Sequence, residues 1–412
     1  MMSSHFGVTT IKEKQSFNRR EFLKWTSRGL ATAIPWRWSQ FSGWPEHGDV
    51  SLDDMIGQML LVGFNGLEVN DEHPIVRDIR EHNLGGVVLF DYDASTKTYV
   101  RNIQSPEQVR TLIQTLQAAA STPLLIALDQ EGGMVCRLKK KYGFPPTVSA
   151  EYLGMKNDLE FTRQMASTMA QTLTTLGINL NLAPVVDVNV NPNNPIIGKR
   201  KRSFSSDPRI VTDHALEFIR AHHEKNVFCT LKHFPGHGSS TADSHHGLTD
   251  VTHTWSEIEL EPYTNVIQTG EADVIMTAHV FNRFLDERFP ATLSKSTITG
   301  ILREKLSYDG VVISDDILMG AIIKEYDLRT AVQNAIEAGV DILAIANGAY
   351  FKEGVVTWAI ALIKKLIRDG KLREARIYES YRRIQKLKYK LMNIPKFIEN
   401  LNLLRFPGIL HF

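Results

Sequence analysis

Cysteine is scarce in this chain: 412 residues hold two, Cys136 and Cys229. Two thiols so far apart make neither a disulfide framework nor a cysteine-based metal knot, and both read as buried free thiols. Excess charge of one sign is lacking too. Lys and Arg number 47 against 46 Asp and Glu, a formal net charge of +1, which leaves no electrostatic footprint for nucleic acid. No apolar run approaches the roughly 20 residues that a membrane-spanning helix needs. Internal repeats and low-complexity tracts are missing as well. What remains is an ordinary soluble globular composition, 43% hydrophobic and 23% charged, long enough for one large barrel or two modest domains.

Residues 1–50 stand apart from the rest. Asn18-Arg19-Arg20-Glu21-Phe22-Leu23-Lys24 followed by a modestly apolar stretch from Gly29 to Trp36 resembles a twin-arginine export signal. Asn18 stands where Ser or Thr is usual, and Arg28 interrupts the apolar region. The expectation is an exported, periplasmic protein; a solvated basic arm on a cytoplasmic one is the alternative.

From about Leu52 the chain alternates short apolar runs with longer amphipathic ones. Strands are predicted at 59–64, 86–90, 124–128, 178–185, 227–231, 273–277, 310–314 and 341–346. Runs of this length without polar alternation suit parallel strands covered on both faces. Helical spacing separates them at 106–120, 159–176, 208–225 and 328–338. Eight such units predict a single (β/α)8 TIM-type barrel, α/β in class, over residues 51–393. A doubly wound sheet fits less well, because no glycine-rich phosphate loop follows the first strand. At 372–392, Ile377, Tyr381, Ile384, Leu387 and Leu391 share one helical face, which predicts a C-terminal helix packed on the barrel with its arginines and lysines toward water. Residues 394–412 read as a tail.

Polar groups follow the strands in a pattern that the fold makes meaningful, since barrel active sites sit at the carboxyl ends of the strands. Strand three runs into Asp129-Gln130-Glu131-Gly132-Gly133 with Arg137 beyond. Strand four is followed by Asp187-Val188-Asn189 and a turn-rich loop carrying Arg200 and Arg202. Strand five delivers Lys232 and His233 in Lys232-His233-Phe234-Pro235-Gly236-His237-Gly238, then Asp243-Ser244-His245. Strand six ends at His279, and strand seven ends in Ser314-Asp315-Asp316. Acids, cations and histidines around one barrel mouth match the donors and acceptors of a sugar ring. A carboxylate two residues from an imidazole, as in Asp243 and His245, orients the ring and holds its proton for general-acid work. Asp187 and Asn189 serve equally well as loop pins, and His237 as a holder of loop shape. His233, His237, His245 and His246 have the composition of a metal site, but Pro235 and the two glycines beside His237 preclude a regular helical ligand spacing. No metal or other cofactor is therefore expected.

Together these motifs resemble glycoside hydrolase family 3, and within it the bacterial single-domain exo-β-N-acetylglucosaminidases. The resemblance runs over about residues 52–392. It implies a retaining hydrolase of terminal β-linked N-acetylglucosamine in which Asp315 is the nucleophile and Asp243 with His245 the acid/base dyad. It also implies that Asp129, Arg137, Arg202, Lys232, His233 and His279 bind the sugar. The implied partner is carbohydrate, either muropeptides of the cell wall or amino-sugar oligosaccharides. Three departures stand out. Met134 replaces an arginine, two extra residues precede Ser203-Phe204 so that Arg200 competes with Arg202, and Ser239-Ser240 replaces an acid common after the Gly-His-Gly turn. Four other readings stay open: a phosphorylase, since a neutral histidine does not repel phosphate, a hydrolase whose nucleophile is the substrate's own acetamido group with Asp315 only stabilising charge, a β-glucosidase, and a sugar-binding protein without turnover.

Overall fold

The computed structural model describes residues 50–244, 247–348 and 354–392. Eight parallel strands dominate it: β1 (Leu60–Gly63), β2 (Gly86–Val88), β3 (Leu125–Leu128), β4 (Leu180–Asn181), β5 (Phe228–Phe234), β6 (Val274–Thr277), β7 (Val311–Ile313) and β8 (Leu343–Ile345). Spatial order follows chain order from β1 to β7, with β8 beside β1. A parallel bridge between Ile313 and Ile342 joins β7 to the start of β8. Ser314 N donates to Ile342 O at 2.9 Å and Ile342 N to Val312 O at 3.0 Å, so the sheet closes. The fold is the (β/α)8 barrel that the alternating runs predict.

Why these residues build it is visible strand by strand. Leu60, Leu61 and Val62 of β1 and Leu125, Ile126 and Ala127 of β3 are all buried, because barrel interior and outer helices cover opposite faces. Each such leucine or isoleucine contributes roughly 1.5–3 kcal/mol on burial. The helices begin where their caps stand. Ser105 accepts from Gln108 N ahead of Pro106–Ala119, Asp207 accepts from Arg209 N ahead of Pro208–His223, and Gly177 ends Leu159–Leu176 at φ 89°. Proline at the first helical position and glycine just past the last follow the usual asymmetry.

All eight strands differ from their predicted bounds at one or both ends, and two of the departures bear on the site. β4 is short because Asn181 takes over the pairing with its side chain: its Oδ1 accepts from Gln130 N and its Nδ2 donates to Gln130 O, both at 3.1 Å. Pro184, lacking an N–H, then cannot extend a ladder. β5 runs past residue 231 through Lys232 and His233 to Phe234, held by Val186 N to Lys232 O at 2.9 Å and Ala278 N to Phe234 O at 2.7 Å. Two polar side chains thus sit inside a strand.

The C-terminal helix spans Glu374–Met392 and buries Ile377, Ile384 and Leu387 as expected. The expectation that its basic residues all face water is corrected at two positions. Arg376 is buried and donates to Asp341 Oδ1 at 3.1 Å, while Lys388 is fully buried and donates to Gln58 Oε1 at 2.8 Å and Gly85 O at 2.7 Å. These partners lie at the amino ends of the strands, opposite the polar residues that follow them. Both cysteines are free and buried. Among the described residues no helix is long and apolar enough to cross a membrane. The twin-arginine stretch and the tail from 394 lie outside the described residues.

Candidate active site

The site is assembled from the ends of neighbouring strands. Asp129 follows β3 directly. A small hairpin, Gln130–Gly132 with Val135–Cys136, then reverses the chain and brings Arg137 back. Gly132 at φ 103° and Gly133 at φ 60° make that reversal, a conformation other residues adopt at a cost. Arg137 Nη2 donates to Asp129 Oδ2 at 2.7 Å, and its guanidinium lies over the Phe90 ring at 5.4 Å. From β5, Lys232 Nζ reaches Asp129 Oδ1 at 2.8 Å and Glu131 Oε1 at 2.7 Å. Glu131 in turn takes Arg202 through two bonds of 2.7 Å, Nε to Oε2 and Nη2 to Oε1.

Burial by itself would raise the Asp129 carboxyl. The Lys232 ammonium and the Arg137 guanidinium overcome that and hold it well below the carboxylate range. Glu131 is likewise lowered against its burial by Arg202 and Lys232. Arg202 also donates from Nη2 to His233 Nε2 at 3.1 Å. A guanidinium has no acceptor, so Nε2 accepts and the imidazole proton sits on Nδ1, facing Asp187 Oδ2 at 2.7 Å.

Asp187 is completely buried. Besides the ring, its Oδ1 accepts from His233 N at 3.2 Å and His237 N at 2.8 Å. Of the two readings open for Asp187, the structure gives it the pinning one. Asn194 extends the pinning, with Nδ2 on His237 O at 2.7 Å. Arg202 joins the cluster, whereas Arg200 is exposed to solvent.

At the end of β6, His279 is buried, with Nε2 donating to Asp316 O at 2.9 Å and Nδ1 meeting Thr292 Oγ1 at 2.8 Å. It braces the turn after β7. The two acids of that turn differ in setting. Asp316 Oδ1 accepts from Leu318 N at 3.1 Å and Ala346 N at 3.0 Å, tying the turn to β8. Asp315 is half-buried, with Oδ1 accepting from Asp316 N at 2.8 Å. Asp243 is half-buried on the loop after β5. His245 and His246 lie outside the described residues. Among the described residues no group of three or more His, Cys, Asp or Glu is arranged to hold a metal ion.

Two contributors escaped the sequence reading. Glu131 joins two of the cations, and its signal was present: a second acid in the strand-three motif, alternating with Asp129. Glu259 lies buried under the turn after β5, with Oε2 accepting from Gly238 N at 2.8 Å. Burial pushes its carboxyl up to about 8. Nothing in the pattern around Trp255–Leu260 marked it.

A closed parallel barrel with acids, cations and imidazoles linked across the carboxyl ends of its strands has the layout of a barrel active site. The description "Glycosyl hydrolase family 3 N terminal domain" matches residues 51–387, and the chain belongs to that family. It is 35% identical over 338 residues to a β-hexosaminidase A of Pseudoalteromonas piscicida, a match covering 76% of this chain and 54% of that protein. With a β-hexosaminidase of Tolumonas auensis it shares 36% identity over 294 residues, 70% of this chain and 82% of the relative. The solved structure of a family 3 β-N-acetylglucosaminidase from a Paenibacillus species superposes with a TM-score of 0.76 at 36% identity, over 83% of this chain and 63% of that one. The chain therefore spans little more than half of the Pseudoalteromonas protein and under two thirds of the Paenibacillus one.

Proposed function

We propose that this protein is an exo-acting β-N-acetylhexosaminidase that removes a non-reducing terminal β-linked N-acetylglucosamine with retention of configuration. The observation that carries the reading is the continuous network Arg137–Asp129–Lys232–Glu131–Arg202–His233–Asp187, which spans the ends of three adjacent strands. Its charges are held in fixed places by one another, so they present oriented donors and acceptors to ring hydroxyls without reorganising. The names of the relatives, β-hexosaminidase and β-N-acetylglucosaminidase, support the choice of an amino sugar.

In the proposed reaction the Asp315 carboxylate attacks the anomeric carbon and the bond to the leaving oxygen breaks. His245, as imidazolium, gives that oxygen its proton, and Asp243 favours the protonated ring. Neutral His245 then takes a proton from water, the hydroxide formed attacks the anomeric carbon, and the Asp315–sugar bond breaks to release the hemiacetal. In most retaining glycosidases a second carboxylate does this proton work; an imidazole titrates near neutral pH without needing a desolvated pocket. Muropeptide fragments and amino-sugar oligosaccharides are the proposed substrates. Export through the twin-arginine stretch is the proposed route to them, tested by fractionating cells that express the full chain and its Arg19→Lys, Arg20→Lys form.

The deciding experiment is a substrate panel of N-acetylglucosaminides, glucosides and muropeptides, turned over with and without phosphate. Release of free N-acetylglucosamine without phosphate is the expected result. Phosphate-dependent formation of a sugar 1-phosphate would make the enzyme a phosphorylase, and a preference for glucosides would remove the amino-sugar assignment.

A further inference from the structure

The described contacts of the loop after β5 include one set at residues 236–240 and another at Ser244. At residues 236–240 the loop is held from beneath. His237 N donates to Asp187, Gly238 N to Glu259, and Asn191 Nδ2 donates to Ser240 O at 2.9 Å. Thr241 and Ala242 then turn out to solvent and Asp243 is half-buried. At Ser244 the chain returns to the interior, with 2% of the residue exposed. Ser244 follows Asp243 directly in the chain and precedes His245, the two residues assigned to acid/base work, so its contacts anchor the loop at that point.

Among the described residues, two groups hold Ser244, and they come from different parts of the site. Its hydroxyl meets His237 Nε2 at 3.2 Å. Its carbonyl accepts from Ala321 N at 3.2 Å, in the helical turn Gly320–Ile323 that follows the Asp315-Asp316 pair. The imidazole of His237 is itself set by Ser240 Oγ on Nδ1 at 2.5 Å, and both residues are buried. Burial lowers the His237 ring to about 4, with His233 acting in the same direction. A neutral ring offers one donor and one acceptor, and the two serine hydroxyls complete it whichever nitrogen carries the proton. Ser240 is one of the two serines that replace an acid common in the family, and a hydroxyl satisfies this ring without charging it.

We propose that His237 and Ser244 form a latch that positions the acid/base residues, with His237 holding Ser244 from the loop's own base and the turn after β7 holding it from the nucleophile's side. His237 is on this reading a positioning residue: it acts through Ser244 and has no contact with substrate. The inference rests on the proposed Asp243–His245 dyad. Its consequence is selective. A displaced general acid slows bond cleavage most when the leaving oxygen needs a proton, and least when the leaving group departs unaided.

The test compares kcat/KM, which reports steps up to the first irreversible cleavage, on two substrates. One is the 2,4-dinitrophenyl N-acetylglucosaminide, whose leaving group needs no proton; the other is the unactivated N,N′-diacetylchitobiose. Ser244→Ala removes one hydroxyl and keeps the carbonyl that Ala321 holds; His237→Gln removes the ring. Asp243→Asn is the reference for loss of the dyad. For Ser244→Ala the latch requires a loss of about 10–100-fold on the disaccharide, the scale of an ångström-sized misplacement, and less than about threefold on the dinitrophenyl sugar. Its melting temperature should stay close to that of the parent, and His237→Gln should show the same selectivity. Equal losses on both substrates, or none, while Asp243→Asn remains selective would overturn the latch and leave the dyad standing. A non-selective Asp243→Asn would bring down the dyad, and the latch with it.

Discussion

Glu131 grips Arg202 through two bonds of 2.7 Å, and the same Oε1 meets Lys232 Nζ at 2.7 Å. One carboxylate thus sets the direction of two cations that arrive from the β4 loop and from β5. Planar, bidentate pairing of this kind gives geometric specificity as well as energy.

Replacing Glu131 by Gln keeps the shape and reverses the chemistry at one oxygen. Whichever way the amide turns, its NH2 faces an Arg202 or Lys232 donor, and two buried cations lose their shared anion. Removing one partner from a buried ion pair typically costs about 3–5 kcal/mol. Glu131→Gln should therefore unfold at distinctly lower denaturant concentration and bind substrate more weakly, with KM raised more than kcat is lowered. Parent-like KM and stability would show that Arg202 and Lys232 hold their places without it.

The two acids after β7 should separate cleanly. Asp316 Oδ1 accepts backbone amides from Leu318 and Ala346, so Asp316→Ala, which removes that acceptor, should lower the melting temperature. Asp315→Asn should leave the melting temperature unchanged and reduce turnover of a chromogenic N-acetylglucosaminide by about three orders of magnitude or more, as removal of a covalent nucleophile does. The opposite pattern would transfer the nucleophile's role to Asp316.

The contrast between these residues shows what was legible in the sequence. Strand ends are marked by the switch from apolar run to polar residue, so Asp129, Lys232, His233 and Asp315 could be found from the chain alone, as could the barrel itself. Arg202 was implied by the family resemblance, through its place before Ser203-Phe204, although two extra residues made Arg200 compete with it. Glu259, and the burial of Arg376 and Lys388, could not be read. Their partners, Gly238 N, Asp341 and Gln58, are remote in sequence or are backbone atoms, and tertiary pairing leaves no local periodicity. The burial of Lys388 runs against the helix's own pattern, in which basic residues belong on the wet face.

Gly238 should tolerate no side chain. A Cβ there would lie 1.7 Å from Val188 O, a backbone atom that the β4 loop holds in place. Gly238→Ala must then push the turn after β5 away from its pins on Asp187, Asn194 and Glu259. Destabilisation beyond the roughly 1–3 kcal/mol of ordinary overpacking is expected, together with near-complete loss of turnover. Gly247 supplies the control, because a Cβ added there would meet nothing within 4 Å. Gly247→Ala should change stability by less than about 1 kcal/mol. Thermal melts of the two variants side by side decide whether close approach is what the first glycine provides.

Lys388 makes stability depend on pH at the amino ends of the strands. Burial pushes its ammonium down to about 7 in the folded protein, whereas an unfolded lysine keeps its proton to about 10.4. Between those values the unfolded chain binds more protons, so this residue's contribution to stability rises as pH rises from 7 toward 10 and is least favourable below 7. The neutral amine still has two donors, enough for Gln58 Oε1 and Gly85 O. Lys388→Met loses those bonds and also the titration. Unfolding free energy measured from pH 7 to pH 10 should therefore climb more steeply in the parent than in Lys388→Met, the difference being on the order of a few kcal/mol. The buried Glu259, raised to about 8, works in the other direction, lowering stability as pH rises from about 4.5 to 8, and is common to both proteins, so it cancels in the comparison. Parallel curves would mean that Lys388 keeps its proton in the folded state with Gln58 and Gly85 as sufficient partners.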